Sequence, residues 1–206
     1  MSAPATEAAS AEAQRRYPSV AIALHWAIAA LIVTNFVIGL RLDDLHGLAK
    51  FQVIQWHKSF GITVLLLSLV RLAWRLAHRP PPYPPEMPAW ERAVASTVHW
   101  SFYVLMLVLP LTGWAVASAS PTNIPTVLYK TIPWPHIGPI HALPLAVRKP
   151  LTDQLTEVHG TLAWIVASLL VLHVGAALNH QFRKRDQVLW RMAPFKALRP
   201  SAAKDS

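Results

Sequence analysis

Residues 158–182 read VHGTLAWIVASLLVLHVGAALNHQF, and this stretch decides the fold. It contains no Asp, Glu, Lys or Arg, and it exceeds the roughly 20 apolar residues that an α-helix needs to cross a bilayer. The uninterrupted apolar run predicts a transmembrane helix over about 154–182.

Three earlier segments are also long enough to cross. Residues 19–40 and 93–117 are free of charged side chains, whereas the segment 53–76 carries Lys58 and Arg71. Lys and Arg near helix ends extend their charged groups to the lipid headgroups, so we predict that this segment crosses as well. The sequence therefore predicts an all-α integral membrane bundle of four helices.

The composition agrees with a membrane protein, since 53% of the 206 residues are apolar and 14% are charged. The net charge of +9 would suit a nucleic-acid-binding protein, but such proteins lack charge-free stretches of bilayer length, so we expect no nucleic-acid partner. The chain has no Cys, which excludes disulfides, thiolate ligands, iron–sulfur clusters and covalently attached haem. Histidine remains as the main candidate ligand for a cofactor metal.

The distribution of Lys and Arg predicts the orientation of the chain. Thirteen of these residues lie on the side that holds both termini, and six lie on the other side. Because positive charge concentrates on the cytoplasmic side, both termini are predicted to be cytoplasmic. We expect one transmembrane domain over 17–195 with cytoplasmic tails at 1–16, which we expect to be disordered, and 196–206. The Pro-rich segment 79–88 predicts a stiff connector, and 118–152 predicts a long outer loop.

Histidines inside the spans are the candidate functional residues, because polar side chains in hydrocarbon are costly. His159 and His173 are fourteen residues apart, which is a rise of roughly 21 Å on nearly the same helix face. Gly160, Ala163 and Ala167 keep the surface between them small, as a flat macrocycle against the helix would require. The fourth helix thus predicts two stacked cofactor sites.

Each of these sites needs a second ligand at a matching depth on another helix. His25 and His173 both lie near the cytoplasmic boundary, and His57 and His159 both lie near the outer boundary. We therefore predict that the two pairs hold an inner and an outer haem b, non-covalently, in the bundle core. Histidine at both axial positions favours electron transfer over oxygen chemistry at the iron.

Two alternatives bear on this assignment. Intramembrane histidines also form hydrogen bonds between helices without a cofactor, but four histidines in two depth-matched pairs weigh against that explanation. His99, on the cytoplasmic side of the third helix, could replace His25 as a ligand, contact a haem propionate or have a structural role.

Several short motifs occur in a specific order and spacing. They are ALHW at 23–26, WHKSFG at 56–61, RLAWR at 71–75, LPLTGW at 109–114, HG at 159–160 with His173, His180 and Asp186 beyond it, and LWRMAP at 189–194. Over residues 17–195 this pattern resembles bacterial cytochrome b561, a family of four-helix di-haem cytochromes related to the cytochrome b subunits of nickel–iron hydrogenases.

The resemblance implies two non-covalent haem b groups with His25, His57, His159 and His173 as ligands. It also implies a protein of the bacterial inner membrane that passes an electron from periplasmic superoxide to ubiquinone, that is, a superoxide:ubiquinone oxidoreductase. The alternatives are a haem-bearing anchor that relays electrons for a partner dehydrogenase or hydrogenase, and a haem-free transporter or receptor. A homo-oligomer or a partner redox protein is compatible with the first two functions.

Cationic and titratable residues are expected beside the inner site. Arg71 follows His57 by fourteen residues and so lies near the inner haem, and Arg75 is one turn further. We predict that both arginines bind haem propionates or a quinone headgroup, with positive-inside anchoring as the alternative. His180, two turns after His173, is a candidate proton donor to a reduced quinone, or a boundary histidine without a role.

On the outer side, Lys58 is predicted to meet a haem propionate or to extend to the headgroups. His136 and His141 lie in a Pro-rich loop without a third ligand, so we expect no metal there. Cationic steering of a small anion such as superoxide is a further hypothesis for this side, although four acidic residues offset the six cations. The loop cations that would take part are Lys130, Arg148 and Lys149.

Overall fold

Four long helices form the body of the protein. The computed structural model describes residues 16–83, 87–184 and 188–194, so the predicted tail at 1–16, apart from Arg16, and the predicted tail at 196–206 lie outside the described residues. The long helices are α1 Ser19–Arg41, α2 Gly47–Ala77, α3 Ala89–Ala119 and α5 Leu145–Asn179. All four are long and apolar enough to cross a membrane, and the predicted all-α membrane bundle is confirmed.

Shorter elements connect and extend these helices. Strands β1 (Thr126–Leu128) and β2 (Ile132–Trp134) and the short helix α4 (Gly138–His141) lie between α3 and α5. The last long helix continues into a π-helical turn, His180–Lys184, and a 3₁₀ turn spans Trp190–Met192. The predicted loop 118–152 therefore carries secondary structure, and its last residues belong to α5.

Three helices begin earlier than the predicted spans. α2 begins at Gly47 rather than 53, α3 at Ala89 rather than 93, and α5 at Leu145 rather than 154. The prediction used charge-free length, which measures the hydrocarbon crossing, and a helix can continue past the headgroups. Pro88 and Pro144 stand immediately before α3 and α5, where a proline ring disrupts no earlier helical turn.

The tightly packed core lies between α1, α2 and α3. Ile28, Val64 and Met106, one from each of these helices, form a buried cluster. α5 packs closely along α3, but within the described ranges its backbone approaches α1 and α2 at most at isolated points. The backbone of α5 is therefore separated from those of α1 and α2 by a gap, and histidine side chains extend into this gap from both sides.

The β1–β2 hairpin is hydrogen-bonded to the outer half of α2. The Gln55 amide nitrogen donates to the Pro125 carbonyl (2.8 Å), and its oxygen accepts from the Val127 backbone N–H (3.1 Å). One turn further, the Ser59 hydroxyl accepts from the Tyr129 N–H (2.9 Å). Side chains of α2 thus satisfy the backbone of β1 as a neighbouring strand would.

The hairpin turns at Tyr129 and Lys130, which have φ of 52° and 61°. Two consecutive residues with positive φ are the hallmark of the type I′ turn, whose twist matches that of paired strands. Neither residue is Gly or Asn, so the left-handed conformation is strained at both. The bonds from α2 hold the hairpin in place despite this strain.

Arg148, near the start of α5, is a buried cap for the end of α3. Its guanidinium donates to the carbonyls of Ala119 (3.2 Å from Nε) and Ser120, and to the Asn123 side-chain oxygen (2.5 Å). A fourth bond reaches the His141 carbonyl (3.3 Å). These acceptors include carbonyls that a helix end leaves without intrahelical partners. The hypothesis that Arg148 steers anions is therefore wrong, because its charge is buried and its donors are occupied.

The described segment 188–194 packs against the start of α1. The Trp26 indole donates to the Met192 carbonyl (2.8 Å), and the Arg16 guanidinium donates to the Ala193 carbonyl (2.6 Å). Trp190 and Ala193 are buried by this contact. The LWRMAP motif at 189–194 thus packs the chain's end against its first helix.

We expect Arg148→Met to lower the free energy of unfolding by about 3 kcal/mol, because buried carbonyls would lose their charged donor. The measurement is the thermal unfolding midpoint in detergent micelles. Lys149→Met is the matched control, since Lys149 is the exposed neighbouring cation. Equal midpoints for the two variants would contradict the capping role.

Candidate functional site

Four intramembrane histidines meet in two pairs across the gap beside α5. The ring centroids of His57 (α2) and His159 (α5) are 6.1 Å apart, and those of His25 (α1) and His173 (α5) are 6.3 Å apart. The two pairs lie at the two ends of the α5 segment between His159 and His173. The structure therefore brings together the same residues that depth matching paired in the sequence.

The separation within each pair can be compared with the geometry of a shared metal. A metal–imidazole bond is about 2 Å long, and a ring nitrogen lies about 1 Å from its centroid, so two imidazoles on opposite sides of one metal have centroids about 6 Å apart. Both observed separations agree with this value. They are too long for a hydrogen bond between the rings, and they lie within the range of edge-to-face ring contacts.

The buried nitrogen atoms of these histidines also favour a bound group. Nδ1 of His25 and Nδ1 of His57 are buried without a hydrogen-bond partner. His159 differs, because its Nδ1 lies 3.1 Å from the Leu109 carbonyl and 3.0 Å from the Thr112 hydroxyl. Such a hydrogen bond at Nδ1 leaves Nε2 as the ligating atom.

Glycines on the neighbouring helices make room for the outer pair. A Cβ built on Gly113 of α3 would lie 2.9 Å from Cε1 of His159, and one on Gly39 of α1 would lie 3.3 Å from Cε1 of His57. A methyl group at position 113 would force the His159 ring to move. The two glycines therefore let each imidazole approach the backbone of the adjacent helix.

A largely apolar cavity surrounds the outer pair. Its walls come from the long helices, and the hairpin contributes Thr126 and Trp134. The Trp114 indole donates to the Pro135 carbonyl (2.8 Å), which fixes the end of the hairpin beside this cavity. Lys58 is its charged lining residue. Two imidazoles facing one another in a mainly apolar pocket fit a non-covalent haem b.

The inner pair belongs to a larger aromatic cluster. His99 lies 5.8 Å and Phe102 lies 5.4 Å from His173, measured between ring centroids. Since His99 is as near to His173 as His25 is, both assignments made from the sequence remain open to experiment. Arg71 lies above the Tyr103 ring at 5.8 Å and acts electrostatically on all three histidines of this cluster.

Arg75 and His180 lie beyond the inner pair, at the end of the bundle where α1 begins and α5 ends. Arg75 acts electrostatically on His99 and on Tyr17, whose pKa is raised by burial. Nε2 of His180 is 3.9 Å from Oε2 of Glu91 on α3, and the Lys184 ammonium forms a short ion pair with the same carboxylate. The side chains of His180 and Glu91 are only 14% and 11% exposed.

Glu91 is a residue that the sequence reasoning missed. It lies just before the charge-free run of α3, and an acidic residue at such a boundary does not by itself indicate a functional site. Its Oε2 atom is buried without a hydrogen-bond partner, which is costly for a carboxylate. The sequence did contain a signal for this site. It has an acidic residue, Glu91, at the boundary of one span and a histidine, His180, at the boundary of another.

The two loop histidines stack on one another rather than converging on a common point. The rings of His136 and His141 are 4.5 Å apart and nearly parallel, at 9°. Partial burial, and secondarily the charge of His141, lower the pKa of His136. No group of three or more His, Cys, Asp or Glu arranged for a metal ion occurs in 16–83, 87–184 or 188–194, and a haem between two histidines is not such a group.

Comparison with known proteins identifies the family. The model of the prokaryotic cytochrome b561 family matches residues 16–195. The chain belongs to this family. Membership establishes a membrane protein of electron transfer that binds haem b, in agreement with the sequence expectation.

Individual members of the cytochrome b561 family are similar over most of their length. Cytochrome b561 homolog 2 of Escherichia coli (strain K12) is 27% identical over 179 residues, covering 86% of this chain and 90% of that protein. The probable superoxide oxidase CybB of Yersinia pestis is 27% identical over 186 residues, covering 88% and 98%. Cytochrome b561 homolog 1 of E. coli K12 is 28% identical over 182 residues, covering 87% and 97%.

Proposed function

We propose that this cytochrome holds two haem b groups and passes electrons from a small periplasmic donor to ubiquinone. His57 and His159 would hold the outer haem, and His25 and His173 the inner one. The observation that carries the proposal is that the ring centroids in each pair lie slightly more than 6 Å apart, which leaves room for one metal between the rings, and that the pairs lie at two depths along α5. Haem b, held between these histidines, would supply a reversible one-electron carrier.

We further propose superoxide as the donor on the outer side. Lys58 lines the cavity directly beside His57, so it places a positive charge where a small anion would approach the outer pair. The name of the Yersinia relative, a probable superoxide oxidase, supports this donor class. Lys58 and the exposed cations Lys130 and Lys149 remain as steering residues, because Arg148 is engaged at the end of α3.

Electrons would leave at the inner side, where cationic and acid–base residues gather. Reducing ubiquinone to ubiquinol takes two electrons, which two donor molecules supply, and two protons. Arg71 and Arg75 would stabilise the developing negative charge of the quinone oxygens. Within the cytoplasmic cluster of Glu91, His180 and Lys184, His180 would donate the proton, and Glu91 would hold and return it.

The purified protein offers a direct test against the alternative function. Ubiquinone reduction by superoxide without any partner protein is the expected result. Full haem content without that activity would instead favour a haem-bearing anchor for a partner dehydrogenase or hydrogenase. A purified protein without a haem spectrum would contradict both proposals.

Histidine variants should separate the two haems. We expect His57→Ala and His159→Ala each to lose the same haem, and His25→Ala and His173→Ala each to lose the other, because one missing ligand opens the site. Haem content per chain and the resolved α-band spectra measure this. His99→Ala should retain both haems; loss of the inner haem there, with retention in His25→Ala, would make His99 the ligand.

Both termini are expected on the cytoplasmic side, from the excess of Lys and Arg there. A reporter enzyme that is active only in the periplasm, fused after Ser206, should be silent. The same reporter inserted at Leu143, in the segment between α4 and α5, is the positive control. Activity of the C-terminal fusion would exchange the faces of the two haems.

His180→Ala and Glu91→Gln should each slow ubiquinone reduction on the order of 10-fold or more, because proton delivery becomes limiting. Stopped-flow kinetics measures the rate, and the haem spectra should be unchanged. His78→Ala is the matched control, since His78 is an exposed histidine at the cytoplasmic end of α2. Wild-type kinetics in both variants would reject the proton-delivery role of this cluster. Wild-type kinetics in Arg71→Ala and Arg75→Ala would reject the inner location of the quinone site.

A further inference from the structure

The hydrogen bonds around His159 fix which of its ring nitrogens carries the proton. The Thr112 hydroxyl donates to the Leu109 carbonyl (2.7 Å), and Nδ1 of His159 lies within 3.1 Å of both of these oxygens. A carbonyl oxygen can only accept, and the single hydroxyl proton of Thr112 is engaged with it. Nδ1 of His159 must therefore be the protonated nitrogen, and Nε2 carries the free lone pair.

Three residues of α3 form this arrangement. Leu109 supplies the carbonyl, Thr112 supplies the hydroxyl that bonds to it, and Gly113 leaves the space into which the His159 ring fits. The ring is thus held by two acceptors on one side, and a Cβ at position 113 would displace it. The LPLTGW motif at 109–114 contains all three residues.

The other member of the outer pair faces a backbone carbonyl in a similar way, because the His57 ring lies beside the Asn35 carbonyl of α1, and Gly39 makes room for it as Gly113 does for His159. Within the described residues, however, no hydroxyl group bonds to Nδ1 of His57. The outer pair is therefore asymmetric in that only His159 has a hydroxyl contact in addition to the backbone carbonyl. An imidazole that donates from Nδ1 has more electron density on Nε2, which makes it a more basic ligand.

We propose that Thr112 is a positioning residue that keeps His159 protonated at Nδ1 and thereby lowers the midpoint potential of the outer haem. The inference rests on the proposed function, since it requires His159 to be an axial ligand. A more basic axial ligand stabilises the ferric state over the ferrous state, so the potential falls. A lower potential at the outer haem favours onward transfer of the electron toward the inner side.

The test is a spectroelectrochemical titration of the full-length, haem-loaded protein. Thr112→Val has nearly the same shape without the hydroxyl, so it should raise the midpoint potential of the outer haem and leave the inner haem unchanged. Thr112→Ser retains the hydroxyl and should restore the wild-type potential. Thr97→Val is the matched control, because Thr97 is an exposed threonine on the same helix.

The outcomes separate this inference from the ligand assignment. Loss of the outer haem in Thr112→Val, with retention in Thr112→Ser, would also support the positioning role. Loss in both variants, or an unchanged outer potential in Thr112→Val, would overturn it. If His159→Ala kept both haems, the ligand assignment and this inference would be overturned together.

Discussion

An imidazole in a hydrocarbon interior requires a partner for its ring nitrogens, and four imidazoles converge in the gap between α5 and the α1–α2 pair. The separation within each pair, slightly above 6 Å, is too large for mutual hydrogen bonds and suits one metal between two rings. The packing of the four helices leaves room for these rings. α5 packs on α3, while α1, α2 and α3 form the tight apolar core without it.

The outer end of the molecule shows how polar backbone is satisfied at the membrane boundary. Side chains of α2 pair with the first hairpin strand, and Arg148 donates hydrogen bonds to the carbonyls at the end of α3. These contacts hold a strained hairpin turn over the outer cavity. The hairpin contributes Trp134 and Thr126 to the lining of the outer cavity.

The opposite end of the bundle, where α1 begins and α5 ends, is organised around charge rather than around a hairpin. Arg71 contacts the inner aromatic cluster, and the C-terminal motif closes the start of α1. Glu91 and His180 face one another from α3 and the π-helical turn, in a largely buried position. This end of the bundle thus combines positive charge with a carboxylate and a histidine that face one another.

The sequence by itself determined the four spans, because bilayer length and charge-free composition are properties of single segments, and the order and spacing of its motifs indicated the family. It also paired His25 with His173 and His57 with His159, since depth along a helix follows from the rise per residue. It did not give the full helix lengths, because a helix may continue in water beyond the charge-free core. Only the tertiary structure decided that Arg148 caps a helix, that Glu91 faces His180, and that Thr112 and Gly113 shape the surroundings of His159. Each of these contacts joins residues from different helices or loops, and such contacts depend on the packing of the whole bundle and not on any local pattern.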